Sequence, residues 1–213
     1  MRVTLLYDND VYKEDLQADW GFSCLVEIEN TPTILFDTGT NGSILLSNME
    51  KLHIDPTSID EIFISHAHFD HVGGLSTFLN VNSDVTIYVP PSFRGVRSVK
   101  EVISVSGPLK IHENVFSTGE LDNREQSMAV KIDEGIVIIA GCSHPRMADI
   151  CKAASQFGQL YAIIGGLHGF SEFELFKDLE LICPTHCTQH KAEIKALYPE
   201  KYTDGGAGKI IEF

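Results

Sequence analysis

One short run of the chain concentrates side chains that hold metal ions. His66-Ala67-His68-Phe69-Asp70-His71 sets three imidazoles and a carboxylate close together, directly before Val72-Gly73-Gly74. In extended backbone, residues i and i+2 point the same way, so His66 and His68 can grip one ion together. Asp70 and His71 fall where the chain is expected to turn into a helix beginning at Gly73-Gly74. That turn swings them towards a second metal position, and the glycines let the backbone bend beside the ligands. Zinc, iron and manganese share these donors, so the ligands alone do not choose the metal. Asp70 could also orient or deprotonate a water whose pKa a bound ion has lowered towards about 7.

Something must hold such donors in place, and three further histidines occupy the same kind of position. Ile62-Phe63-Ile64-Ser65 runs into His66, and Ile136–Ala140 runs into Gly141-Cys142-Ser143-His144. Tyr161-Ala162-Ile163-Ile164 leads to Gly165-Gly166-Leu167-His168, and Leu181-Ile182-Cys183 leads to Pro184-Thr185-His186. Four apolar strands thus finish near a histidine, and in layered α/β folds ligands gather at the carboxyl ends of strands. His144 and His186 are accordingly candidate ligands. His168 is a candidate for substrate contact or proton donation, or a buttress of the site. His53, on a predicted helix, His112, in a polar strand, and His190, at a helix start, are expected to face solvent. Cys183 and Cys187 flank His186, but the second close pair that a structural zinc knuckle needs is missing. Cys142 reads either as a thiolate ligand or as a small buried residue ending a strand.

Periodicity predicts strands at Val3–Tyr7, Ser23–Ile28, Thr33–Phe36, Ile62–Ser65, Val85–Val89, Met128–Ile132, Ile136–Ala140, Tyr161–Ile164 and Glu180–Cys183. Helices are expected at Gly42–Leu52, Met147–Phe157, Glu172–Leu179 and Lys191–Leu197. A mixed α/β layered architecture follows, and 213 residues without an evident linker suggest one domain over 1–213.

Composition narrows the partners. With 16 Lys plus Arg against 30 Asp plus Glu, the net charge of -14 repels phosphate backbones and anionic lipid headgroups. Nucleic acid and membrane are therefore not expected partners, whereas a small-molecule substrate is. The first residues lack a basic segment followed by an apolar core, and no apolar run reaches the roughly 18 residues of a membrane span. Five cysteines, an odd number, fit a reducing compartment. The expectation is a cytoplasmic protein.

Phe36-Asp37-Thr38-Gly39 followed by Ser65-His66-Ala67-His68-Phe69-Asp70-His71-Val72-Gly73-Gly74 resembles the metallo-β-lactamase superfamily. Asp19-Trp20-Gly21-Phe22-Ser23, Gly-Cys-Ser-His, Gly-Gly-Leu-His and Cys-Pro-Thr-His-Cys-Thr are similar to its 7,8-dihydropterin synthase-like branch, which includes many metal-dependent hydrolases. The resemblance implies a four-layer αββα sandwich with a metal site at one edge between two sheets. It implies Asp37 as a carboxylate orienting the ligands, His66 and His68 on a first ion, and Asp70, His71 and His186 on a second. Superfamily members commonly carry another histidine ligand before the strand at Met128–Ile132, where this chain has Asp122-Asn123-Arg124-Glu125-Gln126. They also commonly end the strand at Ile136–Ala140 with Gly-Asp, where Gly141-Cys142 stands here, which makes His144 the candidate replacement ligand. Trp20 and Gln189 replace a His and a Gly usual in that branch, and the segment from Gly74 to Gly141 is short for its pterin-processing members.

The expected cofactor is one or two divalent ions, zinc first, with manganese or iron also fitting. The expected activity is hydrolysis of an ester, lactone or phosphoester of a small molecule by metal-activated water, with Asp70 and His168 in catalytic roles. Two alternatives accompany it: a dihydropterin synthase-like transferase of methanopterin-type biosynthesis, and a non-catalytic metal-binding sensor or scaffold.

Overall fold

In the computed structural model, which describes residues 1–213, the Val-, Ile- and Phe-rich runs pair into two sheets. The strands are β1 (Arg2–Tyr7), β2 (Ser23–Glu27), β3 (Ile34–Phe36), β4 (Glu61–Phe63), β5 (Thr86–Val89), β6 (Glu101–Ser104) and β7 (Leu109–Lys110). They continue with β8 (Val115–Ser117), β9 (Met128–Ile132), β10 (Gly135–Ala140), β11 (Leu160–Gly166), β12 (Leu181–Thr185) and β13 (Ile210–Glu212). One sheet has the order β13-β1-β2-β3-β4-β5-β6, the other β12-β11-β10-β9-β8-β7. The helices are α1 (Gly42–Lys51), α2 (Phe69–Val72), α3 (Leu75–Leu79), α4 (Met147–Ser155) and α5 (Lys191–Leu197).

Alternating burial explains the layers. Val3, Leu5, Phe36 and Phe63 of the first sheet meet Val130, Val137, Ile139 and Ile164 of the second in a common core. The opposite face of the first sheet, with Leu35, Ile62 and Ile87, is covered by Leu45 and Met49 of α1 and by Leu75 and Phe78 of α3. On the second sheet, Ile138, Ile163 and Ile182 lie under Met147 and Ile150 of α4 and Ile194 of α5. Helix, sheet, sheet, helix is the αββα sandwich expected from the sequence.

Strand direction then decides where the site can be. β3, β4, β5 and β6 are mutually parallel, as are β10, β11 and β12. The carboxyl ends of β3 and β4 therefore share one edge of the first sheet, and those of β10, β11 and β12 share one edge of the second.

Several expectations need correction. β4 stops at Phe63, so the histidine run is a loop between β4 and α2 rather than a strand extension. The helix that follows starts at Phe69, before Gly73-Gly74, and Asp70 and His71 lie within its first turn. The segment predicted as a helix over Glu172–Leu179 makes one 3-10 turn, Phe173–Phe176. Phe170, Phe173 and Phe176 recur every three residues and pack together, which suits the three-residue turn rather than the 3.6-residue period. β6, β7, β8 and β13 carried no strand prediction: each has two to four residues, too few to show a period.

Phe36 stacks on Phe63 with ring centroids 5.3 Å apart, next to the two loops that carry Asp37 and the histidine run. Phe36→Ala is expected to lower unfolding stability by about 3–5 kcal/mol, as for other fully buried aromatics, when measured by urea denaturation.

Candidate metal centre

Asp37 leaves β3 with a positive φ of 53° and a completely buried side chain. Its Oδ1 accepts the Ser65 backbone N–H at 2.8 Å, and its Oδ2 accepts the Ser65 hydroxyl at 2.6 Å and His71 Nδ1–H at 2.7 Å. The Ser65 hydroxyl, having given its proton to Asp37, accepts from His66 Nδ1 at 2.9 Å. One carboxylate therefore sets the tautomer of two imidazoles: both carry hydrogen on Nδ1, leaving Nε2 of His66 and of His71 as free lone pairs. The chain returning from α2 is clamped as well, because Thr38 donates its N–H and its hydroxyl to the His71 carbonyl. Gly74 permits this closeness, since a Cβ there would strike the Thr38 carbonyl oxygen.

Two ligand clusters result. In the first, His66 Nε2 lies 3.0 Å from His68 Nδ1, which lies 3.1 Å from His144 Nε2. The second joins Asp70, His71 and His186. His186 Nδ1 faces Asn9 Oδ1 at 3.0 Å, and since that oxygen accepts, the proton sits on Nδ1. His186 Nε2 is then a bare lone pair, fully buried, 3.3 Å from Asp70 Oδ2 and without a hydrogen-bond partner. A buried lone pair facing a carboxylate oxygen calls for a proton or a metal cation between them, and a metal ion fits the place.

The electrostatics agree. Burial, reinforced by His71 and His144, holds His66 far below the usual imidazole range. Burial and then His68 lower His144 to about 4, and burial lowers His186. Desolvation alone would raise Asp70, but His186 and His71 outweigh it and hold the carboxyl below its ordinary value. Neutral imidazoles beside an ionised carboxylate are the state in which such side chains ligate metal. His71 is the exception: burial would lower it, yet the Asp37 carboxylate raises it. A cation at Nε2 would take the place of that proton. The donor set fits two divalent ions, with His66, His68 and His144 holding one and Asp70, His71 and His186 the other.

Both sheets contribute, and each ligand loop is braced. Asp8 Oδ1 accepts the His186 N–H, and Asn9 Nδ2 donates to the His186 carbonyl. On the β10 side the brace is Glu125, a buried residue that sequence reading passed over. Its Oε1 accepts the N–H groups of Cys142 and Ser143 at 2.9 and 3.0 Å, and its Oε2 accepts that of His144 at 2.9 Å. Glu125 stands in the segment where a histidine ligand was missed; rather than ligating, it shapes the loop that presents His144. The available signal was an acidic residue flanked by polar ones directly before a buried strand. Asp37, Ser143, His168 and His186 all have positive φ, a left-handed backbone that costs about 1–3 kcal/mol per residue and clusters at functional sites.

His168 stands apart from both clusters. It is exposed, with its ring edge-on to His144 at 5.0 Å between centroids. Together with His144, Arg146, Leu167 and Phe170 it lines a groove of about 290 Å³ opening beside the first cluster. Trp20 flanks the other cluster, donating from Nε1 to Asp70 Oδ2 at 2.8 Å and packing edge-on against His186. Cys142 Sγ lies 3.2 Å from His71 Nε2 and 3.3 Å from Cys187 Sγ. Cys183 lies instead in the core between the sheets. His112, expected in solvent on a polar strand, lies instead in the turn between β7 and β8, half-buried and paired with Glu61 of β4 at 2.8 Å. His53 is exposed, and His190 is partly exposed against Glu193.

Comparison with known proteins supports the fold in which this geometry sits. The family model of the metallo-beta-lactamase superfamily matches residues 21–96, a span that holds Asp37 and the histidine run but neither His144 nor His186. The chain is 29% identical, over 280 aligned positions, to 7,8-dihydropterin-6-methyl-4-(beta-D-ribofuranosyl)-aminobenzene-5'-phosphate synthase of Methanocaldococcus jannaschii, covering 99% of this chain and 95% of that one. Tm1679, a metal-dependent hydrolase of the beta-lactamase superfamily, superposes with a TM-score of 0.82 at 24% identity, covering 100% of this chain and 99% of its own. Zn(2+)-bound PqqB from Methylobacterium extorquens superposes with a TM-score of 0.70 at 12% identity, with complete coverage of both chains. The resemblance read from the motifs thus extends to the whole fold.

Asp37→Asn leaves one acceptor oxygen for three donors. With that oxygen in the Oδ2 position its NH2 faces the Ser65 N–H, and with the amide turned over neither His71 Nδ1–H nor the Ser65 hydroxyl is accepted. The hold on the two imidazoles is weakened either way. Metal affinity is expected to fall about 10–100-fold, measured by competition with a chromogenic chelator. Glu125→Gln removes one of two acceptor oxygens and strands at least one buried N–H. A stability loss of about 1–3 kcal/mol in chemical denaturation is expected, accompanied by weaker binding of one ion.

Proposed function

With the fold of the metallo-β-lactamase superfamily as the starting point, we propose that this chain is a metal-dependent hydrolase. Its substrate is a small molecule with an ester, lactone or phosphoester bond, and its centre holds two divalent ions, zinc first among them. The observation that carries this reading is the second cluster, where the buried Nε2 of His186 has no hydrogen-bond partner and faces the half-buried Oδ2 of Asp70 at 3.3 Å.

Ions bound in the two clusters would supply an acidified water as nucleophile and would polarise the electrophilic oxygen of the substrate. The chain's own residues do the rest. Asp37 keeps His71 in the ligating tautomer directly and His66 through Ser65. Asp70, shared between Trp20 Nε1 and the His186 side, presents an ionised oxygen that can orient the nucleophile or accept its proton. His168, exposed on the groove beside His144, is placed to donate a proton to a departing group or to hold developing charge. The groove is small and lies beside the ligands, which suits a small-molecule substrate. A wider depression of about 570 Å³ near Met1, Glu27 and Phe213 contains no ligand cluster.

The relative named as a dihydropterin synthase supports a second reading, transfer rather than hydrolysis, over 99% of this chain. Against it stands the chain's size: 213 residues face 280 aligned positions, so that relative carries segments with no counterpart here. Product analysis separates the readings, since a transferase needs a second, nucleophilic substrate before turnover is appreciable and a hydrolase needs only water.

The decisive measurement is the metal content of protein purified without added metal or chelator, with turnover of activated esters and phosphodiesters alongside. Close to two ions per chain are expected, with loss of about one in His144→Ala and in His186→Ala. Loss of ions and of activity is expected when His66 and His68 are both changed to Ala. Full metal and full activity in that double variant would falsify the assignment, and one tightly held ion without any turnover would favour the sensor or scaffold.

A further inference from the structure

We propose that Cys142 and Cys187 form a modification site, a thiol pair that oxidants of the hydroperoxide class close into a disulfide. Closure withdraws the Cys142 sulfur from beside His71, a member of the second ligand cluster. The two cysteines follow different strands, β10 and β12, with β11 between them, yet their sulfurs lie 3.3 Å apart. Gly166 at the end of β11 makes this possible, because a Cβ there would meet Cys187 Sγ and Cys142 Cα. A disulfide bond is about 2.05 Å long, so the sulfurs need to approach by little more than 1 Å, about 0.6 Å each.

The pair's location gives the reaction a consequence. Cys142 Sγ is 3.2 Å from His71 Nε2, and Cys142, Cys187 and His186 form one compact donor group. A reduced Cys142 can bind an ion beside His71 Nε2 as a thiolate. A disulfide sulfur cannot act as that thiolate ligand, and the closing movement carries it towards Cys187. The chemistry balances without any further partner. Cys187, at 7% exposure the more accessible of the two, attacks one peroxide oxygen; the O–O bond breaks and the thiol proton leaves with the released hydroxide as water. The Cys142 sulfur then displaces hydroxide from the resulting sulfenic acid, forming the S–S bond and a second water with its own proton. Two thiols lose two electrons and two protons, and one hydrogen peroxide becomes two waters.

Only the effect on ion binding rests on the metal-centre reading; the thiol chemistry stands without it. The test treats the protein as isolated with equimolar hydrogen peroxide and follows thiol count, intact mass, peptide linkage and ion release to a chromogenic chelator. Two of the five thiols are expected to disappear. The mass should fall by about 2 Da, and fragmentation should join Cys142 to Cys187 rather than to Cys183. Ion retention should drop about tenfold, and dithiothreitol should restore both thiols and retention. In Cys187→Ser and Cys142→Ser no loss of 2 Da is expected, and oxygen adds to the remaining thiol instead. Oxygen addition without a cross-link in the unmodified chain, or a cross-link elsewhere, overturns the pair. A Cys142–Cys187 link that leaves ion retention unchanged overturns its coupling to the site. A protein that holds no ion at all yet forms the link sinks the hydrolase reading while sparing the thiol pair.

Discussion

The carboxylate of Asp37 is a negative charge placed where water cannot reach it, and the arrangement at this edge of the sandwich follows from how that charge is satisfied. Taking a carboxylate out of water costs several kcal/mol unless donors surround it. Here the donors are Ser65, through both backbone and hydroxyl, and His71. Each has a second task. Ser65 passes the constraint on to His66, and His71 turns its other nitrogen towards the second cluster. Removing the charge would therefore release one imidazole from each ligand cluster at once, although Asp37 itself lies among no group of ligand atoms.

The two sheets divide the work. The first supplies Asp37 and the histidine run from the ends of β3 and β4, adjacent parallel strands whose register fixes the distance between the loops. The second supplies His144 and His186 from β10 and β12, with β11 as a spacer. Polar residues join the halves: Gln126 donates to the Ile64 carbonyl and to the Ser65 carbonyl, while Glu125, its neighbour, holds the loop of His144. A two-residue segment before β9 thus aligns ligands from opposite sheets. The packed core of Phe36, Phe63, Val137 and Ile164 sets how far apart the sheets lie and offsets the backbone strain at the four left-handed residues.

This distribution also explains why the chain can depart from its relatives and still assemble two clusters. His144 reaches the first cluster because Glu125 bends its loop, and Cys142 reaches His71 because β10 ends against it. Trp20 donates to Asp70 from its outer side, and the groove beside His144 and His168 opens next to the first cluster.

Local chemistry was legible in the chain as written. The order His-x-His-x-Asp-His after an apolar run marked candidate ligands, four strand endings marked the remaining histidines, and periodicity marked a layered α/β domain, while the two-sheeted sandwich came from the family resemblance. Such features depend on residues near each other in sequence or on a repeating period, which a linear reading can see. Glu125, the His112–Glu61 pair and the meeting of Cys142 with Cys187 were not legible. Each depends on which strands become neighbours, and pairings across the sandwich or over an intervening strand are set by the collective burial of apolar faces. The short strands β6, β7, β8 and β13 escaped for a related reason: with two to four residues apiece they have no pattern of their own and are held by hydrogen bonds to a neighbouring strand. The sequence by itself therefore determined which side chains can do chemistry. Tertiary structure decided which of them share a lone-pair focus, because only folding brings the ends of β3, β4, β10 and β12 to one edge and removes the water that would otherwise satisfy them separately.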